Sequence, residues 1–160
     1  MNTEFIRRLD RLKGAKCWGV IAGKGTGSAF QLFFGKKYRR LKLFPNPLLS
    51  DDVRRYDPQF SIFVQCSWRM DSKTRVICSS TDPDDNDGEM VRGLDLLLNK
   101  TLENIIVSFP GYDTCLMFSE SLFIKIFCDE ILKGATNYSL KFRDIIYYID
   151  GGGLIGREKY

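Results

Sequence analysis

The sequence predicts an α+β domain that is mainly antiparallel β, folded as a sandwich or open barrel with a helix at the N-terminus and one further helix near residues 88–98. Aromatic residues make up 13% of the chain, and their side chains suit the pleated surface of a sheet. Most apolar runs alternate with a period of two, which is typical of strands. No linker or low-complexity tract interrupts the 160 residues, so residues 1–160 are expected to form one domain.

The opening segment predicts a short amphipathic helix that ends at Gly14. Four apolar side chains share one face of this helix: Phe5, Ile6, Leu9 and Leu12. Two β-prone runs follow, residues 17–22 and 29–34, and the GKGTGS between them is typical of a hairpin connection. A phosphate-binding loop is not expected, because the lysine is misplaced and the segment after it predicts a strand where such a loop requires a helix.

The next strands are predicted at residues 38–44, 59–70 and 75–80. The prolines of PNPLLSDD predict an irregular loop after the first of them. The second, QFSIFVQCSWRM, alternates most regularly, as expected for a strand covered on one side. Its apolar positions are Phe60, Ile62, Val64, Cys66, Trp68 and Met70.

The acidic segment TDPDDNDG precedes a predicted helix. Asn86 and Glu89 have the spacing of a capping box, and Asn99 can close the helix. The apolar face would comprise Met90, Leu94, Leu97 and Leu98. A calcium loop counted from Asp82 would place Asp87 and Gly93 where glycine and glutamate are needed, so no metal site is expected there.

The remaining segments predict an antiparallel meander. Its strands are expected at residues 102–109, 114–119, 122–128, 138–143 and 145–149. The Gly-rich GGGLIG after them is interpreted as a conformational feature that lets the backbone turn.

Composition excludes several classes of enzyme. The chain has no histidine, which removes a histidine general base, nucleophile pair or metal ligand. Asp113 and the Asp129–Glu130 pair remain as weak candidates for carboxylate chemistry. The five cysteines form no CxxC pair, and they lie in apolar runs as free thiols of a reducing compartment would. We therefore expect a protein that is not an enzyme and uses no cofactor or metal.

The chain is expected to act in the cytoplasm. The N-terminal segment carries charges throughout and lacks an apolar signal-peptide core. No apolar run approaches the roughly 18 residues of a membrane span, so the membrane is not an expected partner. The sequence leaves the oligomeric state open.

Charge is distributed unevenly and gives two candidate partner-binding segments. Residues 1–80 hold 16 basic and 6 acidic residues (+10), and residues 81–160 hold 8 and 14 (−6), which sum to the net +4. The basic cluster comprises Lys36, Lys37, Tyr38, Arg39, Arg40 and Lys42. This cluster would suit nucleic-acid phosphates, and it equally fits a charged edge strand that blocks aggregation.

The order of several segments between Cys17 and Ile155 resembles a family of small bacterial proteins of unknown function that are associated with polymorphic toxin systems and look like immunity proteins. The segments are GKGTGSAFQLFFG, Ser67-Trp68-Arg69, Ser79-Ser80 with Asp82, LLNKTLENIIV, LMFSESLFIKIFCDE, NYSLKF and Gly151-Gly152-Gly153-Leu154. The chain departs from the usual pattern in its longer basic segment at 36–55 and its net positive charge. No catalytic motif follows from the resemblance.

The resemblance implies an immunity protein that neutralises a cognate toxin by stoichiometric binding. We expect the acidic segment to lie at that interface, because charge complementarity sets partner choice and association rate. The predicted interface residues are Asp82, Asp84, Asp85, Asp87 and Glu89, with Tyr112 and Asp113 from a nearby turn. The alternatives are an acidic toxin held by the basic segment, and a nucleic-acid-binding domain that uses residues 36–42.

Overall fold

The computed structural model describes residues 3–23 and 25–159. Two antiparallel sheets and three short helices make up the fold. The helices are α1 (Thr3–Asp10), α2 (Asp51–Arg55) and α3 (Glu89–Asp95). The strands are β1 (Cys17–Ile21), β2 (Phe30–Arg39), β3 (Tyr56–Val64), β4 (Ser67–Asp71), β5 (Val76–Ser79), β6 (Leu102–Ser108), β7 (Asp113–Phe118), β8 (Leu122–Phe127), β9 (Thr136–Lys141), β10 (Ile145–Asp150) and β11 (Leu154–Lys159).

The strand order is β1-β2-β3-β9-β10-β11 in the larger sheet and β5-β4-β8-β7-β6 in the smaller one. This architecture confirms the predicted fold class, including the N-terminal helix and the helix near 88–98. Within the described residues, no helix is long and apolar enough to cross a membrane.

The main core lies between the inner faces of the two sheets. Aromatic rings make contacts across it: Phe30 meets Trp68 edge to face with centroids 4.8 Å apart, and Phe34 stacks on Phe118 at 6.2 Å. The Trp68 indole Nε1 donates to the carbonyl oxygen of Ser28 at 2.7 Å, so its single polar atom is satisfied inside the protein. Helix α1 adds Phe5 and Leu9 to the same core.

The predicted strand at 59–70 is wrong as one element, although its two faces are assigned correctly. Strand β3 ends at Val64 and β4 begins at Ser67, and these strands belong to different sheets. The amides of Gln65 and Cys66 both donate to the carbonyl oxygen of Asn137, at 2.9 and 3.0 Å. The apolar alternation continues through this corner because both strands turn the same face towards the shared core.

The segment around residues 38–44 is also corrected. Strand β2 continues to Arg39, after which the chain leaves the sheet, and residues 40–50 contain no strand. Gly35, with a φ of 77°, lies in the register shift between Phe34 and Lys37, where an extra residue bends the strand. The loop predicted at PNPLLSDD runs into helix α2, and the Ser50 hydroxyl caps that helix by accepting from the Val53 amide at 3.4 Å.

Three further details differ from the sequence-based expectation. Gly88 is the N-cap of α3 and makes no side-chain cap bond, so the predicted capping box at Asn86 is wrong. Leu98 is 37% exposed, whereas the other three predicted apolar positions of the helix are buried. Strand β11 was not predicted; the glycines at 152 and 153 have positive φ and turn the chain so that β11 pairs with β10.

Replacing Asn137 with alanine is expected to reduce the free energy of unfolding by about 1–3 kcal/mol. The Asn137 side chain is 1% exposed; it accepts from the Glu130 amide at 3.0 Å and donates to the Glu130 carbonyl at 3.2 Å. Alanine keeps the backbone carbonyl of residue 137 at the corner. It leaves the backbone N–H and C=O of Glu130 without the hydrogen bonds that the Asn137 side chain makes to them. Urea denaturation measures the change, and Gln65→Ala at the neighbouring exposed position is the matched control, expected to stay within about 0.5 kcal/mol of wild type. Equal losses of unfolding free energy in both variants would contradict a stabilising role for the Asn137 side chain.

Stability is expected to fall with acid partly through Asp71. The Asp71 carboxylate is bonded to Arg69 Nε at 2.8 Å and to Lys125 Nζ at 3.0 Å, and the bond from Arg69 in particular holds the pKa of Asp71 below its usual range. A lowered carboxyl pKa contributes stability above the unfolded-state pKa of about 4, and the contribution disappears as pH falls through the folded-state value.

Asp71→Asn should therefore show a smaller loss of unfolding free energy than wild type between about pH 5 and pH 2. Denaturant titrations at a series of pH values measure this slope. Asp85→Asn, in the exposed acidic loop, should keep the wild-type slope, and an unchanged slope in Asp71→Asn would refute the prediction.

Candidate partner-binding groove

Residues 40–55, here called the β2–β3 insertion, cover part of the outer face of the six-stranded sheet. Phe33 points to this face because its neighbours Leu32 and Phe34 point into the main core. A second apolar cluster of Trp18, Phe33 and Val53 forms there, with the Trp18 and Phe33 rings 5.3 Å apart. Val53 belongs to α2, so this cluster fixes the insertion to the sheet.

The first part of the insertion is a loop held by backbone bonds. The amide of Phe44 donates to the Arg54 carbonyl at 2.9 Å, and Arg54 Nε donates to the Phe44 carbonyl at 3.2 Å. This pairing leaves leucines directed towards solvent: Leu41 is fully exposed, Leu43 is 56% exposed and Leu48 is 73% exposed. A concentration of exposed apolar side chains in one segment is a feature that interaction surfaces have in common.

A groove of about 490 Å³ separates the insertion from α3. Its floor is formed by Val20, Ile21 and Ala22 at the end of β1, which is an edge strand of its sheet. One wall comprises Asn46 and Leu48–Ser50, and the other comprises Asn86, Val91, Asp95 and Leu98. The exposed leucines at 48 and 98 thus line opposite walls. Burial in this setting raises the pKa of the Asp95 carboxyl.

The acidic loop predicted to bind a partner lies beside this groove. Asn86 belongs to the groove wall, and the loop backbone passes close to Gly23 of the β1–β2 hairpin. Asp82 is half-buried and accepts from the Ser79 amide at 2.7 Å, so its carboxylate holds a turn. In the described part of the chain, four carboxylates make no ion pair and no side-chain hydrogen bond: Asp84, Asp85, Asp87 and Glu89.

The structure does not bring Tyr112 and Asp113 to the acidic loop. They lie at the start of β7, which β8 and β4 separate from β5. Tyr112 is 7% exposed, and its carbonyl accepts from the hydroxyls of Thr114 and Tyr138. The Asp113 carboxylate accepts from the Cys128 amide at 2.7 Å. Tyr112 therefore offers little surface to a partner, and Asp113 already holds a strand end.

The remaining carboxylates considered for acid–base chemistry also bind the protein's own backbone. Asp129 accepts from the hydroxyl and the amide of Ser67, and the hydroxyl bond in particular lowers the pKa of its carboxyl. Glu130 accepts from the Leu132 amide at 2.9 Å. These side chains act as caps that hold loops at one end of the five-stranded sheet. Among the described residues, no group of three or more cysteine, aspartate or glutamate side chains could hold a metal ion.

Two cations of the basic segment are paired within the protein. Lys37 Nζ lies 2.6 Å from an Asp52 carboxylate oxygen, and an Arg40 guanidinium nitrogen lies 2.6 Å from Asp57. The Arg143 guanidinium covers the Tyr38 ring at 4.0 Å, so that face of the ring is occupied. The other cations of the basic segment, Lys36, Arg39 and Lys42, form no ion pair with any of residues 3–23 and 25–159.

Strand β2 has a neighbouring strand on both sides only up to Phe34, and its charged residues all lie beyond that point, as the hypothesis of a charged edge strand requires. Its pairing with β1 ends at Phe34, whereas its pairing with β3 continues to Arg39. Charges beyond Phe34 therefore lie where only one side of the strand has a partner, and the edge argument applies to that part alone.

Sequence reasoning missed the groove itself. The available signal was LKLFPNPLLS, a proline-containing segment with five apolar side chains besides its prolines. A loop with that composition exposes its leucines unless it packs against another part of the protein or against a partner. The prolines identified the loop, but the position of α3 across from it depends on contacts distant in the sequence.

Comparisons with known proteins returned no match: no family model, no curated protein and no solved structure is similar to this chain.

Val53→Ala is expected to destabilise the protein by about 1–3 kcal/mol, because it removes two methyl groups from a buried site. Amide exchange should accelerate at Phe44 and Arg54, since the insertion loses its apolar attachment, while exchange in β7 stays slow. Hydrogen-exchange mass spectrometry measures both regions. Val76→Ala is the control, because that side chain is 56% exposed; faster exchange in β7 but not in the insertion would contradict the assigned role.

Proposed function

We propose that this protein is an immunity protein that neutralises a cognate bacterial toxin by binding it stoichiometrically in the groove between the β2–β3 insertion and α3. The observation that carries the proposal is that exposed leucines line both walls of this groove, and that the loop beside one wall carries carboxylates without an ion pair in the described part of the chain. The protein would act in the cytoplasm and would bind without catalysing a reaction.

The apolar centre of the groove supplies the affinity. Leu48 and Leu98 are exposed in the free protein, and burying their side chains against a partner gains roughly 25 cal/mol for each Å² removed from water. An edge strand forms the floor, and such an edge can also accept an extended segment of a partner. Few residues need to supply the binding energy, since hot spots cluster at the centre of an interface.

The charged rim supplies partner choice and association rate. Asp84, Asp85 and Asp87 belong to the loop that contributes Asn86 to one wall of the groove, so their carboxylates form an acidic rim on that side. An acidic rim favours a partner with complementary positive charge and disfavours an acidic one. The segment order that resembles immunity proteins is the basis for naming a toxin as the partner, and the acidic segment predicted from sequence lies beside the proposed groove.

Nucleic-acid binding by residues 36–42 is less well supported. Pairing of Lys37 and Arg40 with carboxylates reduces the charge available to phosphates, and Arg143 occupies one face of the Tyr38 ring. A binder of this kind would lose affinity steeply as salt rises. A steep salt dependence with DNA or RNA, in the absence of any protein partner, would favour this alternative.

The double variant Leu48→Ala, Leu98→Ala is expected to bind the toxin about 30-fold or more weakly, which corresponds to about 2 kcal/mol. The protein encoded beside this gene is the toxin to be tested, by calorimetric titration and by rescue of growth. The matched control is Leu132→Ala, Leu154→Ala, since these leucines are 68% and 51% exposed and lie outside the groove.

The control variant should bind as wild type does. Equal weakening in both double variants would exclude the groove as the interface. A neighbouring gene product that is harmless and does not bind would refute the immunity proposal itself.

Neutralising the acidic rim should act mainly on association. The triple variant Asp84→Asn, Asp85→Asn, Asp87→Asn is expected to slow kon by roughly tenfold at low salt with little change in koff, because rim charges steer encounter. Stopped-flow mixing at two salt concentrations measures both rates. A change confined to koff would instead place these carboxylates in the buried centre of the interface.

A further inference from the structure

A second concavity of about 360 Å³ lies where the β2–β3 insertion meets β3 and β9. Its base is on the outer face of the six-stranded sheet, at Ile21, Gln31 and Phe33. Arg40 and Phe44 of the insertion line one side of it, and Lys141 and Arg143 line another. None of these features is used by the groove that we propose for the toxin, apart from Ile21.

The charge of this concavity is positive. Arg40, Lys141 and Arg143 contribute three cations, and Asp57 is the one acidic side chain in the lining, which leaves +2. A phosphate monoester carries a charge of about −1.5 to −2 at neutral pH. The charge of the lining therefore matches that of a phosphate dianion.

Donors are held in place in this concavity. The Arg40 side chain is 19% exposed and one of its guanidinium nitrogens contacts Asp57, while its Nε is buried and has no hydrogen-bond partner among the described residues. The Arg143 guanidinium is fixed over the Tyr38 ring at 4.0 Å, and stacking of this kind leaves the edge of the guanidinium able to donate.

The rest of the lining suits an apolar, flat group. Phe44, which is 42% exposed, contributes an aromatic ring to one side, whereas the Phe33 ring at the base is only 3% exposed. The Ser61 hydroxyl, on a residue 2% exposed, accepts from Gln31 Nε2 at 3.2 Å and adds one polar point at the base. The volume is about twelve times the roughly 30 Å³ that a water molecule occupies in the liquid, so it exceeds the needs of an inorganic ion.

We propose that this concavity is a binding site for a small organic phosphate in which a phosphomonoester is attached to a planar ring. Arg143, Lys141 and Arg40 hold the phosphate, and the ring lies against Phe44. The site is separate from the toxin-binding groove, and the proposal does not depend on it.

Phenyl phosphate is the minimal probe, and its two halves, inorganic phosphate and phenol, are tested beside it. Calorimetric titration should show that phenyl phosphate binds at least about tenfold more tightly than either half, with a Kd in the millimolar range or below. Amide chemical shifts should change at Gln31 and Ser61. Benzoate, which carries one negative charge, should bind more weakly than phenyl phosphate.

Variants at the exposed cations test the assignment without disturbing the core. Lys141→Gln and Arg143→Gln should each weaken phenyl phosphate about tenfold, whereas Lys133→Gln, at an exposed position outside the concavity, should leave the affinity unchanged. Thermal unfolding verifies that each variant is folded. The Leu48→Ala, Leu98→Ala variant should bind phenyl phosphate as wild type does, so failure of one proposal is distinguishable from failure of the other.

Three outcomes would overturn the inference. The first is that phenyl phosphate produces neither heat nor shift changes up to about 5 mM. The second is that inorganic phosphate binds as tightly as phenyl phosphate, which indicates an adventitious ion only. The third is that Lys133→Gln weakens binding as much as Arg143→Gln does, which indicates nonspecific attraction to a cationic surface.

Discussion

The corner at Gln65 and Cys66, where both amides donate to the carbonyl of Asn137, is the interaction on which the rest of the fold depends. Asn137 is buried. Its side chain accepts a hydrogen bond from the backbone N–H of Glu130 and donates one to the backbone C=O of Glu130. One residue later, the Tyr138 hydroxyl reaches Thr114 and the Tyr112 carbonyl in the other sheet. The start of β9 thus directs the chain from one sheet to the other and connects the two sheets with buried hydrogen bonds, which are costly to leave unmade.

Because the inner faces of both sheets are used for the core, the surface available for binding is built on the outer face of the larger sheet. Phe33 begins this second layer by pointing away from the core, and Trp18 and Val53 complete it. The β2–β3 insertion then forms a wall of the groove on one side and of the smaller cationic concavity on the other. A short helix fixed by three apolar residues therefore positions both candidate sites.

The sequence pattern was sufficient to predict those elements whose structure depends on residues close together in the chain. The amphipathic α1, the β1–β2 hairpin and the alternation of Phe60 to Met70 all follow from short-range periodicity. The same periodicity gives no sign of the corner at Gln65 and Cys66, because the apolar alternation continues unbroken from β3 into β4, which belongs to the other sheet. Helix α2 and strand β11 were missed because five or six residues beside glycines or prolines give a weak periodic signal.

The sequence by itself determined which side chains bury, which segments carry charge, and which catalytic groups the chain lacks. It could not decide which charges remain available, because their partners are distant: Lys37 pairs with Asp52, and Arg143 stacks on Tyr38. Nor could it place α3 across from the β2–β3 insertion, since that arrangement follows from sheet topology. Burial is a property of each residue and its periodic neighbours, whereas a binding surface is a property of elements that meet only after the chain has folded.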